Sequence, residues 1–568
     1  MNAFTRLFQK GQTPQTQPIP GAGQVANSAG GYAFAVDDWT RLERFLILGT
    51  DGGTYYAAER ALTLENAEVV ARCLDLDPAR AVAQVVAVSD SGRAPKNAPA
   101  VFALAVAAGT GHLPAIVAAD ALRKVCRTPT DLFAFATIVQ SLRGWGSGLR
   151  RLVAAWYAGQ PADRLAYLVT KYAQRDGWTH RDLLRLAHPQ APTPEHQAVY
   201  RWVVAGTDGL GDRAVARRVR PASTEFEAAT ATVERAYPAV ASLPPVIDAF
   251  EVLRRVTDVR VVVRLIREHN LAREHVPSRW LDEPRVWHAL LERMPATALV
   301  RNLGKLTAVG LLAPLSEGAR LVADRLGDGD WLARSRLHPM AILLAASVYG
   351  QGKGVKGKLS WTPVPQVVAA LDAAFYRAFA GVAPTGKRRL LALDVSGSMA
   401  APVAGSPLSC REAAAALTLI ALRTEAEVHV VGFAAGGSGF GGKHGGGDPR
   451  LAELALSGVT TIAEAVRAAA AVPMGGTDCS LPMRVALRKG WQVDSFEVYT
   501  DNETWAGPVH PVQALKRYRE ATGIAARLVV QAFTATPFTI ADPSDAGSLD
   551  VVGLDAASPA LVADFVRG

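Results

Sequence analysis

An apolar run that ends in a pattern of acidic and hydroxyl residues constrains the chain more than any other stretch. Residues 390–393 read Leu-Leu-Ala-Leu, which predicts a buried strand. Asp394, Ser396 and Ser398 follow it as a D-x-S-x-S pattern. Alternation along the strand and its exit loop can bring these side chains to one point. One carboxylate and two hydroxyls are hard oxygen ligands that suit Mg²⁺.

Two later stretches add oxygen ligands to this set. Thr477 lies on the Gly-rich turn 473–478, and Asp501 ends the β-rich run 496–501. Together with the first motif they resemble the metal-ion-dependent adhesion site of von Willebrand factor A domains. The resemblance implies Mg²⁺, or another divalent cation, on five residues: Asp394, Ser396, Ser398, Thr477 and Asp501.

Strands and helices alternate after residue 385. Predicted strands lie at 390–394, 427–433, 496–500, 526–533 and near 549–553, with helices between them. This order predicts an α/β doubly wound parallel sheet, whose ligands bind beyond the carboxyl ends of the strands. Asp394 and Asp501 fall at such ends. The Gly-rich tract 434–447 predicts a mobile loop near them.

The preceding 350 or so residues have a helical pattern instead. Apolar residues recur at spacings of three and four, and short Gly, Pro or Asp turns separate the segments; examples are 38–47, 97–108, 113–125 and 366–379. Many successive helices without strands favour a HEAT-like solenoid of stacked helix pairs over a single bundle.

Length and composition support two large domains after a short leader. A chain of 568 residues is too long for one core. We predict a flexible Gln/Pro-rich leader at 1–22, a helical repeat domain at 23–384 and the α/β domain at 385–568. There is no apolar run of membrane-spanning length and no apolar signal core. The four cysteines are scattered, so a cytoplasmic, reduced protein is expected.

The positive charge is concentrated in the helical part. Residues 1–384 have a net charge of +11 and residues 385–568 one of −2. This asymmetry indicates a polyanionic partner for the first part, although a generic basic surface would have the same composition.

Residues 171–188 hold a second group of candidate binding residues. Lys171 and Arg175 are four apart, which predicts that they share one face of a helix. Thr179 is a predicted N-cap with Asp182 three residues later, and His188 ends the following helix. Such a group could hold RNA phosphates, with an aromatic residue nearby for stacking. The alternative is an exposed charged face.

The motif order along the chain resembles one family in particular. The segments that carry the resemblance run from Gly52-Gly-Thr-Tyr-Tyr56 through Lys171-Tyr, Gly177-Trp178 and Asp182-Leu-Leu-Arg-Leu186 to Gly475-Gly-Thr-Asp-Cys-Ser-Leu-Pro-Met483 and Thr500-Asp-Asn-Glu503. Over residues 23–568 the chain resembles the Ro 60-kDa autoantigen family, which joins a TROVE module to a von Willebrand factor A domain. The composition suits a bacterial member.

The resemblance implies a ring of helices closed by the A domain. Small noncoding Y RNAs would bind its basic outer surface, and single-stranded 3′ ends of misfolded or structured RNA, including rRNA, would enter the central hole. Lys171, Arg175 and His188 match the family's Y RNA contacts, and His180 and Arg181 lie beside them.

For a bacterial member the resemblance implies tethering through the Y RNA to a 3′-to-5′ exoribonuclease, polynucleotide phosphorylase. It also implies roles in RNA quality control, rRNA maturation and stress response. We expect a monomer. We also expect no catalytic activity, because the metal ligands include no evident general base. The alternative function is a protein-binding A-domain assembly module without a specific role on RNA.

Overall fold

The protein is described from a computed structural model. The described residues are 12–49, 68–94, 96–175, 177–206, 243–335, 337, 339–354, 358–377, 383–403, 408–436, 447–473, 475–534, 536–553 and 558–568.

The first described part begins with two short strands, β1 (Gln24–Ala26) and β2 (Tyr32–Ala35), and is then mainly helical. A small hairpin of β3 (Gln174–Arg175) and β4 (Trp178–Thr179) interrupts the helices. The helices are α1 (Asp38–Leu48), α2 (Glu68–Leu76), α3 (Pro78–Ser91), α4 (Ala98–Thr110), α5 (Ala115–Val125), α6 (Pro129–Arg143), α7 (Ser147–Ala158), α8 (Ala162–Lys171), α9 (His180–Ala187), α10 (Pro194–Ala205), α11 (Pro245–Arg255), α12 (Val259–His269), α13 (Pro284–Glu292), α14 (Ala296–Ala308), α15 (Glu317–Gly327), α16 (Gly329–Ser335), α17 (Pro339–Gly350) and α18 (Pro365–Arg377).

Local sequence signals explain where these helices begin and end. In α1, the Asp37 carboxylate accepts a hydrogen bond from the Thr40 N–H at 2.7 Å, and Gly49 ends the helix with a φ of 82°. In α6, Thr128 and Asp131 form a complete capping box. Each predicted helical segment named above corresponds to an observed helix, within a few residues at each end.

The second part, from residue 389 onward, is the predicted α/β sheet with helices on it. Its elements are β5 (Arg389–Asp394), α19 (Cys410–Thr424), β6 (Val428–Gly436), β7 (Gly447–Glu453), α20 (Ile462–Ala471), α21 (Leu481–Lys489), β8 (Ser495–Thr500), α22 (Pro511–Thr522), β9 (Arg527–Ala532), β10 (Phe538–Thr539), β11 (Ser548–Val552) and α23 (Ser558–Arg567). The sheet order is β11-β9-β8-β5-β6-β7.

The sheet is mixed, whereas the sequence pattern predicted a parallel one. β7 pairs antiparallel with β6, while the other neighbours are parallel. The predicted loop 434–447 overlaps these two edge strands at its ends, and 437–446 lie outside the described residues. A stretch so rich in glycine gives no side-chain alternation by which its flanking strands could have been recognised.

Both ends of the helical part pack against the α/β part. Near the start, Val36 donates a backbone hydrogen bond to Pro537, and β10 pairs with β2. Near the end, the core that contains Phe375 of α18 continues into Leu391 of β5. Because successive helices pack on one another in between, the contacts form a closed circuit.

Residues 12–22 correct the prediction of a flexible leader. The Gln15 side chain is fully buried against the α/β part, and its backbone N–H donates to the carbonyl of Gly507 at 3.0 Å. The polar composition predicts disorder, but these polar groups have hydrogen-bond partners some 490 residues away. Residues 1–11 lie outside the described residues, as does the segment Gly52–Tyr56.

No helix among the described residues has the length and apolarity needed to cross a membrane.

Candidate functional site

The predicted metal ligands lie at the carboxyl edge of the sheet. β5 and β8 are neighbouring parallel strands, with Leu393 opposite Tyr499. The chain leaves β5 for β6 on one side of the sheet and later returns to β8 on the other. Asp394 at the end of β5 and Asp501 just after β8 are therefore adjacent at this switch point.

Hydrogen bonds fix the D-x-S-x-S loop around Asp394. This carboxylate is buried; its Oδ1 accepts from the Ser396 N–H and its Oδ2 accepts from the Thr500 hydroxyl, both at 2.8 Å. The hydroxyls of Ser396 and Ser398 are 3.0 Å apart. The nearby Ser398 hydroxyl acts to lower the pKa of the Asp501 carboxyl, which places Ser398 beside that group. Four of the five predicted ligands thus form one connected group.

The fifth predicted ligand, Thr477, reaches this group through its backbone. Its carbonyl oxygen accepts from the N–H groups of Trp505 and Ala506, each at 3.0 Å. Asp501, in the same loop, accepts from the Glu503 N–H at 3.1 Å. The buried Thr477 therefore lies on a turn that is held directly against the Asp501 loop.

The electrostatics of this group favour a cation. Burial, with a further contribution from the nearby Asp501 carboxylate, raises the pKa of Asp394 to about 7. Burial also raises the pKa of Asp501. Among the described residues neither carboxylate has a Lys or Arg partner within 4.0 Å. A divalent cation would offset this repulsion, and the carboxylate and hydroxyl donors suit a hard ion such as Mg²⁺.

The described residues contain no cluster of three or more His, Cys, Asp or Glu placed to hold a metal. A site here therefore depends on its hydroxyl groups, as expected for an ion that keeps several of its own waters.

An N-terminal strap, residues 12–31, braces the two loops behind the site. The Gln15 amide donates to Asp478 Oδ1 and to the carbonyl of Val509, both at 2.8 Å, and its oxygen accepts from the Thr504 hydroxyl. Asp478 follows Thr477, and Thr504 follows Asp501 by three residues. One buried side chain thus joins the turn of Thr477 to the loop of Asp501.

Further contacts continue along the strap. The Asn27 side-chain amide donates to the carbonyl of Thr504 at 2.7 Å, and the N–H of Ala29 donates to the Glu503 carboxylate at 3.0 Å. At Gly31 a β-carbon would lie 2.0 Å from the Thr504 carbonyl oxygen, so any larger residue would push the strap away. These contacts could not be predicted from the sequence, since nothing local in a polar tract indicates a partner so distant along the chain.

The second candidate group, at 171–188, differs from its prediction. Lys171 is the last residue of α8, and Arg175 lies in β3, so they do not share a helix face. The helix ends at Tyr172, and a tight hairpin around Gly177, with a φ of 81°, turns the chain back. The predicted capping box of Thr179 and Asp182 is confirmed.

The polar residues of this group divide into exposed and buried sets. Arg175, Arg181 and His188 are exposed, and His188 caps α9 with a φ of 46°. The Lys171 ammonium is less exposed, at 17 % of its side chain. It lies 3.9 Å from a Glu274 carboxylate oxygen and 5.1 Å from the centre of the Tyr172 ring. The group thus contains three exposed basic side chains and one partly paired lysine.

His180 is a structural residue, which corrects its prediction as an RNA contact. It is 3 % exposed, and its Nδ1 lies 2.6 Å from the Tyr157 hydroxyl. The imidazole also packs against the Phe133 ring. Burial lowers the pKa of His180 to about 3, so the side chain is neutral and inaccessible to a phosphate.

Trp178 likewise has a structural environment. Its indole N–H donates to the Thr137 hydroxyl at 3.0 Å, and its ring packs on Trp145 with the ring centres 5.7 Å apart. The partly buried ring holds the hairpin onto α6.

Comparisons with known proteins agree with this two-part organisation. The model of the TROVE domain family matches residues 25–231 and 263–348, and that of the Ro60 vWA domain matches residues 388–566.

Similar proteins match over nearly the whole chain. RNA-binding protein RO60 of Caenorhabditis elegans is 37% identical, with 96% of this chain and 90% of that protein covered. RNA-binding protein RO60 of Deinococcus radiodurans is 40% identical, with 100% of both covered. The crystal structure of the Deinococcus radiodurans RO (RSR) protein superposes with a TM-score of 0.67 at 40% identity, covering 94% of this chain and 100% of the other. The chain therefore belongs to the Ro60 family, with a helical TROVE domain followed by a von Willebrand factor A (vWA) domain.

Proposed function

We propose that this protein binds RNA and acts without catalysing a reaction on it. The observation that carries the proposal is the near-complete alignment with two relatives that are both named RNA-binding protein RO60. The exposed Arg175, Arg181 and His188, on a helical domain with a surplus of positive charge, supply the chemistry that phosphates require.

A small structured RNA of the Y RNA type is the ligand that we assign to this outer surface. Arg175 and Arg181 lie on either side of the hairpin turn, and His188 lies at the far end of α9. Lys171 can contribute once a phosphate competes with its contact to Glu274, because that contact is long, at 3.9 Å, and the Glu274 side chain is 43% exposed. Binding through phosphates would fall steeply with salt.

A second class of RNA, the single-stranded 3′ ends of misfolded or structured RNAs including rRNA, would enter the centre of the ring. The closed circuit of contacts between the two domains supports such a path. Through the Y RNA the protein would be tethered to polynucleotide phosphorylase, and would serve RNA quality control, rRNA maturation and stress response in the cytoplasm.

The vWA domain would bind Mg²⁺ through Asp394, Ser396, Ser398, Thr477 and Asp501. The support is the connected group of buried oxygen donors and the repulsion between its two carboxylates. The ion would hold the three loops together and offer a position to a ligand from outside.

A salt-controlled gel shift with two RNAs tests the RNA assignment. One RNA is a small hairpin from the host, and the other is a duplex with a single-stranded 3′ tail. Lys171→Ala/Arg175→Ala should weaken hairpin binding and reduce its salt dependence, while the tailed duplex still binds.

The matched control removes two positive charges from another exposed surface of the same domain. Arg260→Ala/Arg285→Ala serves this purpose, because both guanidinium groups are largely exposed and pair with local carboxylates. Equal loss of hairpin binding in both double variants would reduce the assignment to a general charge effect. If the wild type bound neither RNA, the alternative of a protein-binding A-domain module would be favoured.

Calorimetric titration with Mg²⁺ tests the metal assignment. Asp394→Asn should abolish the binding heat, because it removes one of the two charges that hold the ion. Asp494→Asn is the matched control: this carboxylate precedes the opposite end of β8 and pairs with Arg388 at 2.8 Å. Undiminished Mg²⁺ binding by Asp394→Asn would exclude the site.

A further inference from the structure

An exposed tryptophan borders the candidate metal site without an assigned role. Trp505 is 41% exposed, although the four residues before it, 501–504, are all buried. The exposed part of the indole is therefore accessible to a ligand beside the candidate metal site.

Contacts on two sides fix the backbone of Trp505 and place one part of its ring against the turn of Thr477. Its backbone N–H donates to the Thr477 carbonyl at 3.0 Å. The ring lies over Gly476, where a β-carbon would come within 2.8 Å of the indole, and Gly31 of the strap approaches its Cα from behind. Two glycines thus make room for the residue beside the turn of Thr477.

An arginine with unused donors lies on another side of the same oxygen group. Arg411, in the first turn of α19, reaches the Ser396 carbonyl through Nη2 at a long 3.4 Å. Its Nε–H is buried, and no group in the described part of the chain accepts from it. None of the described carboxylates forms an ion pair with it within 4.0 Å. A partly buried guanidinium that lacks a counter-ion indicates an anionic ligand.

The two side chains together fit a nucleotide. An exposed aromatic face binds a base by stacking, and a guanidinium without a counter-ion binds a phosphate. Stacking depends little on base identity, so the pair would accept single-stranded RNA of any sequence. A protein partner that offers a carboxylate to the edge would also satisfy Arg411, and RNA-binding measurements distinguish the two ligands.

We propose that Trp505 and Arg411 form a nucleotide subsite at the carboxyl edge of the vWA sheet, where the indole stacks on a base of single-stranded RNA and the guanidinium binds an adjacent phosphate. The proposal rests on the RNA-binding function proposed above and places one end of the single-stranded ligand beside the metal loops.

Binding measurements with single-residue variants test the subsite. Trp505→Ala should lower the affinity for the 3′-tailed duplex by about 5- to 150-fold, the range for losing one stacked base. Trp505→Phe should retain most of the affinity. Arg411→Gln should reduce the salt slope by about 0.7, the value for one phosphate of a single strand. The blunt hairpin should bind all three variants as it binds the wild type.

A photo-crosslink supplies a readout that is independent of stability. A tail that carries 4-thiouridine should crosslink to the peptide containing Trp505 in the wild type, as mapped by mass spectrometry. Unchanged affinity in all variants together with crosslinks elsewhere would overturn the subsite, while hairpin binding would leave the proposed function standing. Equal losses for hairpin and tailed duplex would overturn it too, as a general disturbance of the fold.

Discussion

At the residue scale, burial of His180 makes the stability of the protein depend on pH. Burial lowers its pKa to about 3, against about 6.5 for an exposed imidazole. Below pH 6.5 the unfolded chain therefore takes up a proton that the folded protein excludes. The contribution of the buried, neutral His180 to the free energy of unfolding is complete above pH 6.5. It should fall by about 1.4 kcal/mol per pH unit between pH 6.5 and 3.

Urea unfolding at pH 7 and pH 5 measures this effect. In His180→Gln the free energy of unfolding should fall less between pH 7 and pH 5 than in the wild type. The reason is that the group that takes up the proton is gone. Tyr157→Phe removes the hydrogen-bond partner but keeps the imidazole buried, so its decline should match that of the wild type. If the free energy of unfolding of His180→Gln fell between pH 7 and pH 5 as much as that of the wild type, the pH dependence would belong to other groups.

The position of His180 could have been predicted from spacing. His180, Leu183, Leu184 and Ala187 follow helical periodicity and form the buried face of α9, while Arg181 and Arg185 point outward. The polar residues of this segment group by type as candidate RNA contacts, but by helix face His180 belongs to the core. Arg175 could not be placed in the same way, since the helix ends at Tyr172 without a glycine or proline signal.

At the scale of elements, the N-terminal strap stabilises the vWA loops. Gln15→Ala should cost about 1–3 kcal/mol, because it leaves buried polar partners, including the carbonyl of Val509 and the Thr504 hydroxyl, without a hydrogen bond. Gly507→Ala should act in the same direction, since its β-carbon would lie 2.2 Å from the Gln15 amide nitrogen. Faster amide hydrogen exchange at 501–510, followed by mass spectrometry, should accompany both changes.

Thr13 supplies the control within the same strap. Its hydroxyl accepts only a long 3.4 Å hydrogen bond from Gln513 at a partly exposed position. Thr13→Ala should therefore leave both the stability and the exchange rates close to those of the wild type. If Gln15→Ala behaved like Thr13→Ala, the strap would be an attached tail without influence on the loops.

The elements that the sequence predicted correctly are those with local signals. β5 and β8 end at Asp394 and just before Asp501 as expected, because apolar runs mark strands and the parallel alternation sets their direction. β7 and the pairing of β1, β2 and β10 were missed. These strands are short or flanked by glycine, and their partners lie far away along the chain, so tertiary contacts decide them.

For the whole molecule, closure of the two domains depends on a buried contact far from the candidate binding sites. Arg44 of α1 is 1% exposed and forms an ion pair with Asp550 of β11. It also donates to the backbone carbonyls of Thr536 and Phe538. One side chain thus ties the first helix to three points of the vWA domain, while Arg423 of α19 lies over the Tyr376 ring of α18 at the other end of the circuit.

Removing this guanidinium should open the circuit. In Arg44→Met the Asp550 carboxylate, whose side chain is only 13% exposed, would lose its cation. This loss should lower the free energy of unfolding by about 3–5 kcal/mol. Arg44→Met/Asp550→Leu removes both charges and should be less destabilised than the single variant, since the uncompensated charge is the main cost. The melting temperature should be highest for the wild type, lower for the double variant and lowest for Arg44→Met. Small-angle scattering should show a larger radius of gyration for Arg44→Met. A melting temperature and radius equal to those of the wild type would mean that apolar packing around Ala532 and Val552 closes the molecule by itself.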